Sequence, residues 1–154
     1  MGTSGPGATN MVTGIASAYF DSVPVLYITW QVRTDALTPL DSGVRQTGFQ
    51  ETKIIPIVTP ITKYASYIED IALLRYKLEK AYFLMHSGRK WPAVLDIPMD
   101  IQRLDIDPTT LISFYDSEEY NNYEKLDGIT KDISIDTLIQ DIKNAKRPIL
   151  LIGG

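Results

Sequence analysis

The chain has 154 residues, with 15 Lys and Arg against 19 Asp and Glu, a net charge of −4, one His and no Cys. The lack of Cys excludes a disulfide scaffold, thiolate metal ligation and a Cys nucleophile, and one His disfavours a His-rich metal site or triad. Mild acidity and the lack of a long apolar run predict a soluble, cytoplasmic protein that binds neither nucleic acid nor membrane.

The first elements alternate between helix and strand. A Gly-rich turn at 2–7 precedes a predicted helix from Ala8 to about Phe20, where apolar residues recur every three to four positions. The apolar run at 23–29 predicts a strand buried on both faces, as in a parallel sheet. Residues 30–53 lack clean periodicity, which predicts a long irregular segment, and a helical turn is predicted at 54–57.

The next elements complete a repeating β–α–β pattern. We predict a short strand at 62–67, a helix from Glu69 to His86 with one apolar face, and a buried strand at 93–97. This alternation predicts an α/β fold built on part of a doubly wound, mostly parallel sheet, which we assign to residues 1–103.

The remaining residues differ in character. An acidic linker with little periodicity is predicted at 104–134. Asp136 then resembles an N-cap, followed by a helix to about Ala145 and a strand at 149–152. We interpret 135–154 as the first helix–strand unit of a second α/β domain, and the chain as a segment of a longer protein.

Three places carry candidate ligand-binding residues, each with a structural alternative. The turn at Thr3–Asn10 opens a helix, and its N–H groups could contact a polar ligand or simply form a tight turn. It matches neither G-x-G-x-x-G nor a Walker loop. Gln50 could orient a carbonyl through its uncharged amide, or be a solvated loop residue. Lys63 could attract a carboxylate or phosphate, or be a surface lysine.

Other polar residues are interpreted structurally. His86 lies at the predicted end of a helix, where a cation is favoured by the helix dipole. Asp96 and Asp100 flank Ile97-Pro98-Met99, and turn formation or capping explains them better than a catalytic pair. Trp30 is assigned to packing beside a turn.

The motifs occur in a recognisable order: TSGPGATN, a helix, DSVPVLYIT-x-Q, FQE, PITK, a helix ending in SGR, and PAVLDIPMDIQ. This order resembles the N-terminal pyrimidine-binding domain of thiamine-diphosphate enzymes of the acetolactate synthase and pyruvate oxidase group. The RQTGFQE variant is similar to acetolactate synthase-like members from surface-polysaccharide gene clusters. The resemblance covers roughly residues 2–103, and RPILLIGG is similar to the first strand of the middle domain of these enzymes.

The resemblance implies a lyase or ligase chemistry on 2-keto acids, with thiamine diphosphate as the electron sink. It places three residues at the pyrimidine end of the cofactor: Thr3, Pro6 and Asn10. It implies that Phe49 and Gln50 line the reaction cavity from the neighbouring subunit, with Gln50 also contacting the cofactor. Lys63 matches a lysine thought to lie near the substrate, so the implied catalytic residues are Phe49, Gln50 and Lys63.

The resemblance also predicts what these residues do not include. The glutamate that activates the cofactor belongs before TSGPG, and the diphosphate–magnesium site belongs to a C-terminal domain. We therefore predict no metal ligands here and no activity of the chain alone. Trp30 and two other residues, Lys53 and Trp91, replace commoner small or acidic residues of the family. FAD is possible but unsupported.

In the complete enzyme the resemblance implies a homodimer or tetramer formed through this domain. Two alternatives remain open. One is a non-catalytic binding or assembly module that keeps the same surface. The other is an unrelated Rossmann-like nucleotide binder, which the missing fingerprint disfavours.

Overall fold

A computed structural model of the protein describes residues 1–39, 41–129, 135–149 and 151. The chain forms two compact units, Met1–Ser117 and Glu118–Gly154, which are described separately. In the first unit the elements are α1 (Pro6–Asn10), α2 (Val12–Phe20), β1 (Leu26–Gln31), α3 (Ile54–Val58), β2 (Tyr64–Tyr67), α4 (Leu74–His86) and β3 (Ala93–Pro98). The second contains α5 (Glu118–Ile129) and α6 (Ile135–Asn144).

Within the described residues, the strands form one parallel sheet in the order β1–β3–β2. The central strand β3 is buried along its whole length, which explains why its residues other than Asp96 are apolar. In register, Leu26 and Tyr64 flank Ala93, and Thr29 and Tyr67 flank Asp96. The C-terminal ends of all the strands therefore meet at one edge, where ligands of open α/β sheets commonly bind.

Helices cover both faces of this sheet, so the predicted α/β, doubly wound arrangement is confirmed. On one face, Ala81 and Met85 of α4 pack against alternate residues of β3, including Leu95. On the other face, Ile15 of α2 and Val58 of α3 pack around Val94. This alternation follows from the two-residue period of a strand, which sends successive side chains to opposite faces.

The helix predicted from Ala8 to Phe20 is divided in two. The N–H of Met11 donates to the carbonyl of Ala8, three residues earlier, at 3.1 Å, which tightens the turn between α1 and α2. The Tyr27 hydroxyl of β1 donates to the Gly14 carbonyl of α2 at 2.9 Å. The helix predicted from Glu69 begins as a 3₁₀ turn at Ile71–Leu73, capped by Asp70, and becomes α-helical at Leu74.

The first unit continues past Arg103, the predicted end of its domain. Phe114 is completely buried and packs edge-on against Tyr76 of α4. The Glu79 carboxylate of α4 accepts hydrogen bonds from the Ser113 hydroxyl at 2.7 Å and the Phe114 N–H at 2.9 Å. The first part of the predicted linker is thus bound to α4.

The second unit begins with α5, which lies inside the segment predicted to be a linker. The helix predicted from Asp136 to about Ala145 corresponds to α6, whose apolar residues Leu138, Ile139 and Ile142 are exposed. The predicted strand at 149–152 is absent at Ile149 and Leu151, and its other residues lie outside the described ones. Assignment of 1–103, 104–134 and 135–154 to separate domains stays a prediction.

Candidate functional site

The Gly-rich turn lies beside the C-terminal end of β1. Gly2 pairs in parallel with Thr29, and its N–H donates to the Ile28 carbonyl at 3.0 Å. The Trp30 N–H donates back to the Gly2 carbonyl at 2.9 Å. These backbone bonds fix the start of the turn, so the residues after Gly2 are held at the sheet edge.

The turn packs directly against the segment that carries Gln50. Gly5 has φ +60°, and a Cβ placed there would lie 2.7 Å from both the Cβ and the carbonyl oxygen of Gln50. Gln50 itself has φ +56°, an uncommon conformation for a residue with a side chain. A glycine at position 5 is therefore required both by its backbone angle and by the closeness of Gln50.

Five predicted site residues are exposed around this contact, and we call them the turn face: Thr3, Pro6, Asn10, Phe49 and Gln50. The Phe49 ring is 83% exposed, an unusual state for a large apolar side chain. The turn face therefore combines an uncovered aromatic ring with neutral hydroxyl and amide groups. Its hydroxyl and amide groups can donate and accept hydrogen bonds without carrying a charge.

Lys63 lies at the other end of the sheet. It precedes β2, and its N–H donates to the Pro92 carbonyl at 2.8 Å, just before β3. Its ammonium donates to the carbonyls of Ser87 and Arg89, which follow α4. Burial lowers the pKa of this ammonium. The structure thus does not bring Lys63 to the turn face, and its predicted role beside a substrate stays a prediction.

Asp96, which the sequence analysis interpreted as a turn or capping residue, is a buried polar group at the same edge of the sheet. The Asp96 side chain, 1% exposed, accepts hydrogen bonds from the Thr29 hydroxyl at 2.7 Å and the Gln31 amide at 3.0 Å. Gln31 also donates to the Thr52 carbonyl at 2.7 Å. We call Thr29, Gln31 and Asp96 the Asp96 cluster. Burial raises the pKa of the Asp96 carboxyl, and the two hydrogen bonds only partly offset it.

The two aspartates interpreted as turn or capping residues therefore differ. Asp100 accepts hydrogen bonds from the distant Thr34, from its N–H at 3.1 Å and its hydroxyl at 2.5 Å, and its side chain does not cap the 3₁₀ turn at Ile101–Arg103 that follows it. Asp96 instead cross-links β1 and β3 in the interior. The available signal was its position: a carboxylate within an otherwise apolar strand must have buried partners.

Within the segment predicted as irregular, 30–53, one carboxylate joins two parts of the chain. Glu51 accepts hydrogen bonds from the Thr38 hydroxyl at 2.6 Å, the Thr38 N–H at 3.0 Å and the Gly48 N–H at 3.3 Å. Burial alone would raise the pKa of Glu51, but these donors outweigh it and the pKa is lowered. The bonds close a loop between Thr38 and Glu51 and position the residues just before it, Phe49 and Gln50.

A cavity of about 530 Å³ opens between this loop, α3 and the C-terminal ends of the strands. Polar groups on its wall include Asp96, Gln31, Glu51 and Lys53. Apolar side chains form most of the surface: Leu37, Pro39, Ile54, Ile55, Pro56 and the ring of Tyr67. Its volume is within the range of small-molecule sites.

Neither a metal site nor a membrane span is seen in the part of the chain that the structure describes. No three acidic, His or Cys side chains there are grouped to hold an ion. No helix among those residues is long and apolar enough to cross a bilayer. That the chain contributes no metal ligand stays a prediction.

Fold and site together define a parallel α/β protein with a candidate ligand face at the C-terminal end of its strands. Residues 1–57 match the family described as thiamine pyrophosphate enzyme, N-terminal TPP binding domain. Acetolactate synthase large subunit of Lactococcus lactis subsp. lactis (strain IL1403) is 37% identical over 99% of this chain and 24% of its own length. These similarities confirm the predicted resemblance to thiamine pyrophosphate enzymes of the acetolactate synthase group.

Two further relatives show the breadth of this group. Acetolactate synthase isozyme 3 large subunit of Escherichia coli (strain K12) is 33% identical over 99% of this chain and 25% of its own length. Glyoxylate carboligase of Escherichia coli O157:H7 is 32% identical over 100% of this chain and 24% of its own length. The chain thus spans about a quarter of the length of the curated relatives it matches.

Proposed function

We propose that the chain forms part of a thiamine-diphosphate-dependent transferase or lyase acting on 2-keto acids. In this proposal it supplies contacts to the pyrimidine end of the cofactor and a surface for a second subunit. The supporting observation is the packing of Gly5 against Gln50, which brings residues from two separate motifs onto one exposed face. A protein limited to these 154 residues is expected to lack the activity, because it spans only about a quarter of its relatives.

The turn face fits the pyrimidine end of the cofactor by the chemistry of its groups. Thr3 and Asn10 offer a hydroxyl and an amide, and Pro6 offers an apolar surface at the start of α1. A neutral, hydrogen-bonding ring matches such donors and acceptors. No Lys or Arg belongs to this face, so we assign the diphosphate and its magnesium ion to other residues of the complete protein. No feature of the described residues supports FAD.

Gln50 and Phe49 are proposed to face the cofactor of a neighbouring subunit. Gln50 would orient the substrate carbonyl through its amide, and Phe49 would exclude water from the reacting atoms. When bound, thiamine diphosphate supplies the carbanion-stabilising ring; the chain's residues orient and shield it. The Lys63 ammonium donates to the carbonyls of Ser87 and Arg89. A substrate role for Lys63 requires it to leave these carbonyls and bind a substrate carboxylate instead.

The exposed aromatic surface supports assembly as a homodimer or tetramer. Phe49 is joined at the same edge of the sheet by Trp30, which is 42% exposed. Large exposed aromatic side chains are typical of interface cores rather than of free surfaces. A cytoplasmic location is proposed along with this assembly; fractionation of the source cells tests that location.

Titration of thiamine diphosphate with magnesium into the purified protein tests the proposal by calorimetry. Asn10→Ala and Gln50→Gly should each weaken binding about tenfold, the equivalent of one good hydrogen bond. Glycine suits the positive φ of residue 50, so Gln50→Gly removes the amide without disturbing the turn. Val44→Ala, an exposed apolar change in the same loop, is the control and should leave binding unchanged.

Two outcomes would contradict this proposal. Binding that is equal in both variants and the control would remove the turn face from the cofactor site. Binding of the cofactor without carboligation of pyruvate, in the complete protein, would instead favour the non-catalytic module.

A further inference from the structure

The cavity of about 530 Å³ has a feature that the proposed cofactor site does not use. Asp96 lies on its wall, 1% exposed, and its carboxylate accepts from only a hydroxyl and an amide, Thr29 and Gln31. Among the described residues no ion pair links Asp96 to a Lys, Arg or His. A buried carboxylate without a cation carries a desolvation cost that a positively charged ligand would offset.

The surroundings of the cavity reinforce its negative character. Burial and the charges of Asp100, Asp96 and Glu69 together raise the pKa of Tyr67 to about 12. Tyr67 lines the cavity, so its phenol stays protonated and its ring offers an electron-rich face. Glu51 adds a second carboxylate on the wall, held by the N–H and hydroxyl of Thr38.

One positive group is near. Lys53 belongs to the wall but its side chain is exposed, and the structure shows no ion pair between it and Asp96 or Glu51 within the described residues. The Lys53 side chain is therefore accessible to solvent, whereas the side chain of Asp96 is buried. Because the positive group is exposed and the negative group is buried, the interior of the cavity is negative.

We propose that this cavity binds a small organic cation, a protonated amine carried on a compact apolar body. Its ammonium would lie beside Asp96 and the ring of Tyr67. Its apolar body would contact Leu37, Ile54 and Ile55. Charge complementarity favours this class over carboxylates such as 2-keto acids.

Three probes of nearly equal shape test the charge preference: isoamylammonium, isoamyl alcohol and 4-methylpentanoate. Their binding to the purified protein at pH 7.5 is measured by titration calorimetry and ligand-observed NMR. We expect the ammonium to bind at least tenfold more tightly than the alcohol, and the carboxylate not to bind. Equal binding of ammonium and alcohol, or tighter binding of the carboxylate, would overturn the proposal.

Two variants locate the site. Leu37→Trp places an indole in the cavity without touching the Asp96 cluster, and should abolish binding of the ammonium and the alcohol. Asp96→Asn should remove the preference for the ammonium while the alcohol still binds. Asp35→Asn, an exposed carboxylate paired with Arg33 outside the cavity wall, is the matched control and should bind like the unmodified protein.

A competition experiment separates this site from the proposed cofactor site. Saturating thiamine diphosphate with magnesium should leave the affinity for isoamylammonium unchanged. Competition between the two would show that the cavity belongs to the cofactor site, and unchanged binding in Leu37→Trp would show that the amine binds elsewhere. Thermal melts of Leu37→Trp and Asp96→Asn check that both variants fold. The comparison of the three probes uses the unmodified protein and does not depend on the variants.

Discussion

Two groups of residues occupy the C-terminal edge of the sheet and are held there in opposite ways. The turn face is positioned by backbone: Gly2 is hydrogen-bonded to β1, and Gly5 fits against Gln50. Its own side chains remain exposed. The Asp96 cluster is positioned by side chains, which use their polar atoms on one another in the interior. The first arrangement leaves polar groups free for a ligand, whereas the second uses them mainly to join β1 to β3.

This difference predicts where substitutions act. Changes in the Asp96 cluster should reduce stability, because they leave buried donors without an acceptor. Changes to exposed side chains of the turn face should affect binding and assembly instead. The predictions below test this division, beginning with the largest expected change in the free energy of unfolding.

Asp96→Ala is expected to have the largest effect. It should lower the free energy of unfolding, measured by urea denaturation, by about 3 kcal/mol. The change leaves the Thr29 hydroxyl and the Gln31 amide buried without their acceptor and creates a small void. Asp96→Asn, of nearly equal volume, should cost about 1 kcal/mol, because its carbonyl can still accept one bond. A loss below 0.5 kcal/mol in Asp96→Ala would mean that the cluster does not join the strands.

Gly5→Ala should destabilise the protein by about 2 kcal/mol. With φ +60° and ψ −124°, Gly5 lies outside the left-handed helical region in a conformation that alanine rarely adopts, and a Cβ at 2.7 Å from Gln50 requires the Gln50 segment to shift. Gly43→Ala is the matched control: Gly43 has φ +67° with no atom within 4 Å of its Cβ position. It should lose only about 1 kcal/mol. Equal losses in the two variants would show that the contact with Gln50 contributes nothing.

The sequence predicted the buried strands and the turn face by different routes. The apolar runs predicted β1 and β3 and their parallel arrangement, because periodicity reports burial directly. The turn face was reached through motif order, since Thr3, Asn10 and Gln50 are polar residues with no periodic pattern. Their contact through Gly5 depends on a distance between segments some forty positions apart, which no local pattern encodes.

The Asp96 cluster and the Thr38–Glu51 loop were missed for a related reason. Asp96 was interpreted as a turn or capping residue and Glu51 was given no role, because the donors that bind them come from segments distant in the sequence. Likewise, local sequence predicts α4 from its apolar face but does not reveal that Phe114, beyond an acidic stretch, packs on it. The break at Met11 depends on one tightened hydrogen bond, so propensity alone predicted a continuous helix.

The pH dependence of stability should distinguish two carboxylates of opposite behaviour. The folded-state pKa of Asp96 is raised, so the folded protein binds more protons there than the unfolded chain. Its contribution is therefore greatest at low pH and is lost as pH rises from the ordinary Asp value through the raised one. The pKa of Glu51 is lowered, so its contribution is present above the ordinary Glu value and is lost as pH falls below it.

Urea denaturation from pH 3 to 8 measures both effects. Asp96→Asn should remove the component of stability that falls with rising pH, so that its stability increases more steeply from pH 4 upward. Glu51→Gln should flatten the acid side of the profile. Identical profiles in the two variants would contradict the opposite shifts.

Phe49→Ala should have the smallest effect on stability and the clearest effect on function. Its ring is 83% exposed and therefore buries little apolar surface, so its removal should change the free energy of unfolding by less than about 0.5 kcal/mol. If Phe49 faces a neighbouring subunit, the same change should weaken self-association of the complete protein at least tenfold in sedimentation experiments. Val44→Ala, exposed in the same loop, should alter neither quantity. Stability and association are measured separately. A large loss of stability in Phe49→Ala would show that Phe49 stabilises the fold as the Asp96 cluster does, which would contradict the proposed difference between the two groups.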